Sequence, residues 1–130
     1  MAGQRLDFIK DSAVPKGGDF RRTLSFKNAD GTVKDLTGCT AYARVKFLTQ
    51  EKEKAIAEMT TTVDGPNGTV TLLIPMASML LMPTGGKEHA ETTRYQWDLY
   101  IKWADGSYEQ ILYGYFEVMP RATEIETYGP

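Results

Sequence analysis

The sequence predicts an all-β protein: an immunoglobulin-like antiparallel sandwich of about seven strands with one short helical segment. Apolar and polar residues alternate along most of the chain, and Gly, Pro, Asn and Asp clusters interrupt the alternation roughly every ten residues. Helical spacing occurs in one place. With 130 residues, 42% hydrophobic and 25% charged, the chain has apolar material for one core, so residues 1–130 are expected to form one domain.

A first strand is expected at 4–10, before a break at Pro15, Lys16, Gly17 and Gly18. In the next strand, 19–28, Phe20, Leu24 and Phe26 share a parity that Arg22 breaks. Asn28, Ala29, Asp30, Gly31 and Thr32 close a hairpin, because Gly accepts the positive φ such turns demand. Strand 39–48 directs Ala41, Ala43, Val45 and Phe47 to one side and Tyr42, Arg44 and Lys46 to the other. The charged 50–54 stretch, QEKEK, suits a solvated turn.

Residues 55–63 continue as a strand, favoured by the run Thr60, Thr61, Thr62 and Val63 over the helical preference of Ala and Glu. Asp64, Gly65, Pro66, Asn67 and Gly68 form the strongest turn signal. Val70, Leu72 and Ile74 then point inward. Residues 75–83 break the alternation: Met76, Met79 and Leu80 stand at helical spacing after Pro75, which predicts one or two helical turns. This methionine-rich segment serves either as a cap on the core or as an adaptable partner surface. A mobile loop is expected at 84–92.

Tyr95, Trp97, Leu99, Ile101 and Trp103 form the aromatic face of a central strand, with Arg94, Gln96, Asp98, Tyr100 and Lys102 opposite. Tyr95 is either a tyrosine corner or a plain core tyrosine. The chain returns through Ala104, Asp105, Gly106 and Ser107 into 108–119, where Leu112, Phe116 and Val118 share a parity. The two Ala-Asp-Gly turns use one turn chemistry twice, and their flanks do not align as a repeat.

Fifteen Lys and Arg against seventeen Asp and Glu give a net charge of −2 without long like-charged blocks, which argues against a nucleic-acid partner. No signal-peptide pattern opens the chain, no apolar run approaches a membrane span, and no membrane partner is expected. A lone Cys39 excludes an internal disulfide, and no metal site or other cofactor is expected. His89, the single histidine, has no nucleophile setting beside it, Asp30, Asp64 and Asp105 occupy turns, and Asp64 with Asn67 lacks the ligand run of a calcium loop. No catalytic residue is assigned, and an enzyme is not expected.

The motif order resembles the small β-sandwich domains of tailed-phage virion proteins, including the amino-terminal domain of the baseplate upper protein family and related tail or fibre-attachment proteins. The matching residues are Gly18, Asp19 and Phe20; Asp30 and Gly31; Asp35, Leu36, Thr37, Gly38 and Thr40; Tyr95 and Leu99; Asp105 and Gly106. They span most of the chain, 19–118, and are structural in character. Longer baseplate proteins continue into a helical or fibre-forming part that this sequence lacks.

The resemblance implies a non-enzymatic virion structural protein of the tail, baseplate or head–tail region, assembled in the host bacterial cytoplasm. It would act as an adaptor or anchor through other virion proteins and further copies of itself. Capsid decoration is the alternative. A carbohydrate-binding or adhesion module is a third reading, with Tyr100, Tyr108, Tyr113 and Tyr115 as stacking residues. Partner contacts are expected from terminal arms at 1–10 and 121–130 and from the methionine segment, through Leu6, Phe8, Met76, Met79, Met82, Ile125 and Tyr128.

Overall fold

The computed structural model describes residues 3–9, 13–15, 17–46, 57–82 and 93–119. Phe47, the 50–54 tip, the 84–92 loop with His89, and the 121–130 arm with Ile125 and Tyr128 lie outside the described residues.

The alternation yields strands as expected. They are β1 (Gln4–Arg5), β2 (Val14–Pro15), β3 (Phe20–Ser25), β4 (Thr40–Lys46), β5 (Ala57–Asp64), β6 (Thr69–Ile74), β7 (Thr93–Lys102) and β8 (Tyr108–Met119), with a single helical turn, α1 (Met76–Met79), between β6 and β7. The all-β class holds. The strands follow one hydrogen-bonded path, β1-β8-β7-β4-β5-β6-β3, with β2 also against β8.

This path is a curled mixed sheet rather than two separate antiparallel ones, and β5 makes the curl. Its first residues, Ala57 to Met59, pair with β4, and Thr60 to Asp64 pair with β6. Where β5 peels away from β4, the Thr61 hydroxyl donates to the Ala41 carbonyl at 2.7 Å, so a side chain replaces a ladder bond. The mixed character comes from the amino-terminal segment: β1 and β2 run parallel to β8, with an isolated parallel bridge from Phe8 to Phe116. Pro15, expected within a break, sits in an outer strand, where a missing N–H costs little.

Curling brings the two ends of the path together around aromatic rings. Phe20 of β3 meets Phe8 at 5.2 Å and Phe116 of β8 at 5.0 Å, and Phe8 also contacts Trp97. The Arg22 exception now has a role: its guanidinium stands 5.0 Å over the Phe20 ring and 5.9 Å from Phe8, covering the core at the β3 edge. Tyr95 is fully buried.

Three of the seven residues expected to contact partners take a different place, in the core. Phe8, Met79 and Met82 are buried core side chains, and Leu6 and Met76 are half-buried against the fold. Residues 3–9 are no loose arm, because the Leu6 and Phe8 amides donate to the Tyr113 and Tyr115 carbonyls and Phe8 accepts from the Glu117 amide. The apolar content of this segment is needed to finish the core. At the methionine segment, Pro75 caps α1 rather than starting it, and the Met76 amide donates to the Asp19 carboxylate at 2.7 Å.

Candidate functional site

The outer face of β4, β7 and β8 carries the largest concentration of exposed aromatic and polar side chains among the described residues. Register fixes its layout, since directly opposed residues share a face. Tyr42, Tyr100 and Gln110 form one row; Arg44, Asp98 and Tyr113 the next; Lys46, Gln96 and Tyr115 a third. Lys102 and Tyr108 close one end of the array, and Arg94 and Glu117 the other.

A bulge in β8 assembles this face. Leu99 pairs with Leu112 but Tyr100 pairs with Gln110, so Ile111 is an extra residue. Strict alternation would turn Tyr108 and Gln110 to the side opposite Tyr113. The extra residue returns them to the outer face, where Tyr108 meets the Tyr42 ring at 6.3 Å.

Two adjoining grooves, of about 710 Å³ and about 680 Å³, share the backbone around Gln96, Trp97 and Asp98. Tyr42, Tyr100 and Tyr108 line the first, and Tyr113, Tyr115, Gln110 and Arg5 the second. Asp98 stands between them. Burial pushes its carboxyl above the ordinary carboxylate range, against a hydrogen bond from Gln110 and the charges of Lys46 and Arg44.

The neighbouring guanidinium groups are tied to acids. Arg94 grips the buried Glu117 at 2.7 Å, Arg5 meets Asp7 at 2.9 Å, and Arg44 meets Glu58 at 3.4 Å. Arg5 and Arg94 also lie 4.7 Å and 4.6 Å from the Tyr115 centroid, so that ring is covered by the protein's own cations. Of the four tyrosines proposed as stacking residues, Tyr100, Tyr108 and Tyr113 remain exposed. Compared with known proteins, the chain matches no family model and no curated protein.

No group of three or more His, Cys, Asp or Glu among the described residues is placed to hold a metal ion, and no described helix is long and apolar enough to cross a membrane. Sequence reasoning did not single out Tyr42 or Asp98. The signal available was the polar parity of 42, 44 and 46 beside 96, 98 and 100, and the missing piece was the strand order that sets β4 against β7.

Proposed function

We propose that this chain is a non-enzymatic structural protein of a tailed-phage virion, in the tail, baseplate or head–tail region, joining neighbouring virion proteins and copies of itself. The observation that supports a joining role most directly is the β3 edge. Among the described residues β3 pairs only with β6, which leaves a backbone edge open to an added strand. A groove of about 480 Å³, lined by Leu24, Phe26, Leu6 and Leu112, runs between this edge and the amino-terminal strand.

The motif residues behind the family resemblance do structural work consistent with this reading. Asp19 holds the start of α1, and Asp30, Asp35 and Asp105 each bind the amide and hydroxyl two residues on. We also infer that the leaves meeting at β5 correspond to the two sheets of an immunoglobulin-like sandwich.

Light scattering after size exclusion, across concentration, tests the proposal. A discrete oligomer is expected. Thr23→Pro should shift it to monomer while circular dichroism stays unchanged, since the Phe26 amide faces β6 and alternation turns the Thr23 amide outward. A monomer at every concentration that also binds no neighbouring virion protein would sink the idea.

A further inference from the structure

We propose that the outer face of β4, β7 and β8 is a saccharide-binding site that takes a neutral oligosaccharide laid along the two grooves from Tyr108 to Tyr113. This goes beyond a structural role and uses a different surface from the β3 edge.

The chemistry of the face selects the class of ligand. The large side chains lining these rows are tyrosines interleaved with amides and charges, with no aliphatic residue among them. A nucleic-acid backbone would want a run of free cations, whereas Arg5 and Arg94 are held by Asp7 and Glu117, Arg44 stands beside Glu58, Lys102 lies over the Tyr108 ring, and Asp98, with the charges of Lys46 and Arg44 acting on it, lies in the middle of the path. Exposed rings beside amides and a carboxylate suit a ligand with flat C–H faces and many hydroxyls. Pyranose rings stack on aromatic faces, and their hydroxyls pair with carboxylates and amides.

The placement fits both needs. Tyr42 and Tyr100 are directly opposed across β4 and β7, with Tyr108 beside them, so three rings gather at one end. Their exposures are 44%, 39% and 63%, large for aromatic side chains. Tyr113, 39% exposed, stands across β8 opposite Asp98 in the second groove. Gln110 stands in the row of Tyr42 and Tyr100, Asp98 in the row of Tyr113 and Gln96 in the row beyond, so a carboxylate and two amides adjoin the rings and supply acceptors and donors together. Each groove falls in the roughly 300–1,000 Å³ range of small-ligand sites.

The test titrates linear hexasaccharides of glucose, galactose, mannose and N-acetylglucosamine, separately, into isotopically labelled protein to about 10 mM. At least one should shift the amides of the Tyr42, Asp98, Tyr100, Tyr108 and Tyr113 rows saturably. Tyr100→Ala and Asp98→Asn should each weaken that binding about tenfold or more. Leu81→Ser, outside both grooves, should leave it unchanged. If Tyr100→Ala does not fold, Tyr108→Ala, at the most exposed ring, replaces it. No saturable shift with any sugar, shifts mapping elsewhere, or undiminished binding by the folded variants would overturn the proposal. So would a protein ligand found on this face in place of a sugar. None of these outcomes bears on the oligomer measurement, so the two proposals fail separately.

Discussion

The indole nitrogen of Trp97 donates to the backbone carbonyl of Leu6 at 2.8 Å, joining the middle of β7 to the amino-terminal segment. That bond passes under β8, whose Gly114 is opposite Trp97 and has no side chain to obstruct it. Trp97→Phe keeps most of the apolar contact with Phe8 and removes the donor, leaving the Leu6 carbonyl short of a partner. The expected loss is about 1–3 kcal/mol of unfolding free energy. Hydrogen exchange should accelerate first at the Leu6 and Phe8 amides, and unchanged protection there would refute the coupling.

Gly114 supplies a sharper test of the same junction. A Cβ at this position would come within van der Waals conflict of the Leu6 carbonyl and the Asp7 carboxylate. Gly114→Ala should therefore destabilise by about 1–3 kcal/mol in a denaturant melt, because backbone must move. Gly18→Ala, where a Cβ meets nothing within 4 Å, should change stability little. Equal effects at the two sites would contradict the packing described.

Phe8→Ala should cost about 3–5 kcal/mol, since the ring is 5% exposed and touches Phe20, Trp97 and Phe116. Removing residues 1–9 should accordingly impair folding itself. A deletion variant with native circular dichroism and an unshifted melting temperature would restore the view of this segment as an arm.

Acid should weaken the turns and relieve Asp98, with opposite signs. In Asp30, Asp35 and Asp105, hydroxyl and then amide hydrogen bonds hold the carboxyl below its ordinary value. A folded value below the unfolded one gives stability that is present above roughly pH 4 and lost as pH falls through the folded value. Burial raises Asp98, so its contribution is intact below the unfolded value and is lost as pH rises through the folded one. Asp98→Asn should then raise the melting temperature near pH 7 and leave it unchanged near pH 3. A variant less stable than wild type at pH 7 would show that the Gln110, Lys46 and Arg44 interactions outweigh burial.

Much of the chain was legible because strand burial has a period of two. Val70, Leu72 and Ile74 of β6, and Tyr95, Trp97, Leu99 and Ile101 of β7, are buried as their parity predicted. Turn residues were equally plain: Gly31, Gly68 and Gly106 adopt the positive φ that their turns require. The sequence by itself thus determined strands, turns and which side of each strand is apolar, since these depend on neighbours within a few residues.

Tertiary structure decided the rest. Leu36, in a stretch without alternation, is fully buried only because its loop folds onto the turn after β5, with its amide donating to Gly65. Parallel docking of residues 3–9 on β8 places Phe8 in the core, and the switch of β5 between β4 and β6 converts a pair of expected sheets into one curled surface. The candidate site depends most heavily on long-range order. Tyr42, Asp98 and Tyr113 are far apart in the chain and become neighbours through strand order, and one extra residue at Ile111 carries Tyr108 to their side of the sheet. Alternation reports how a strand faces locally, but pairing partners and bulges are set by which edges meet when the core closes.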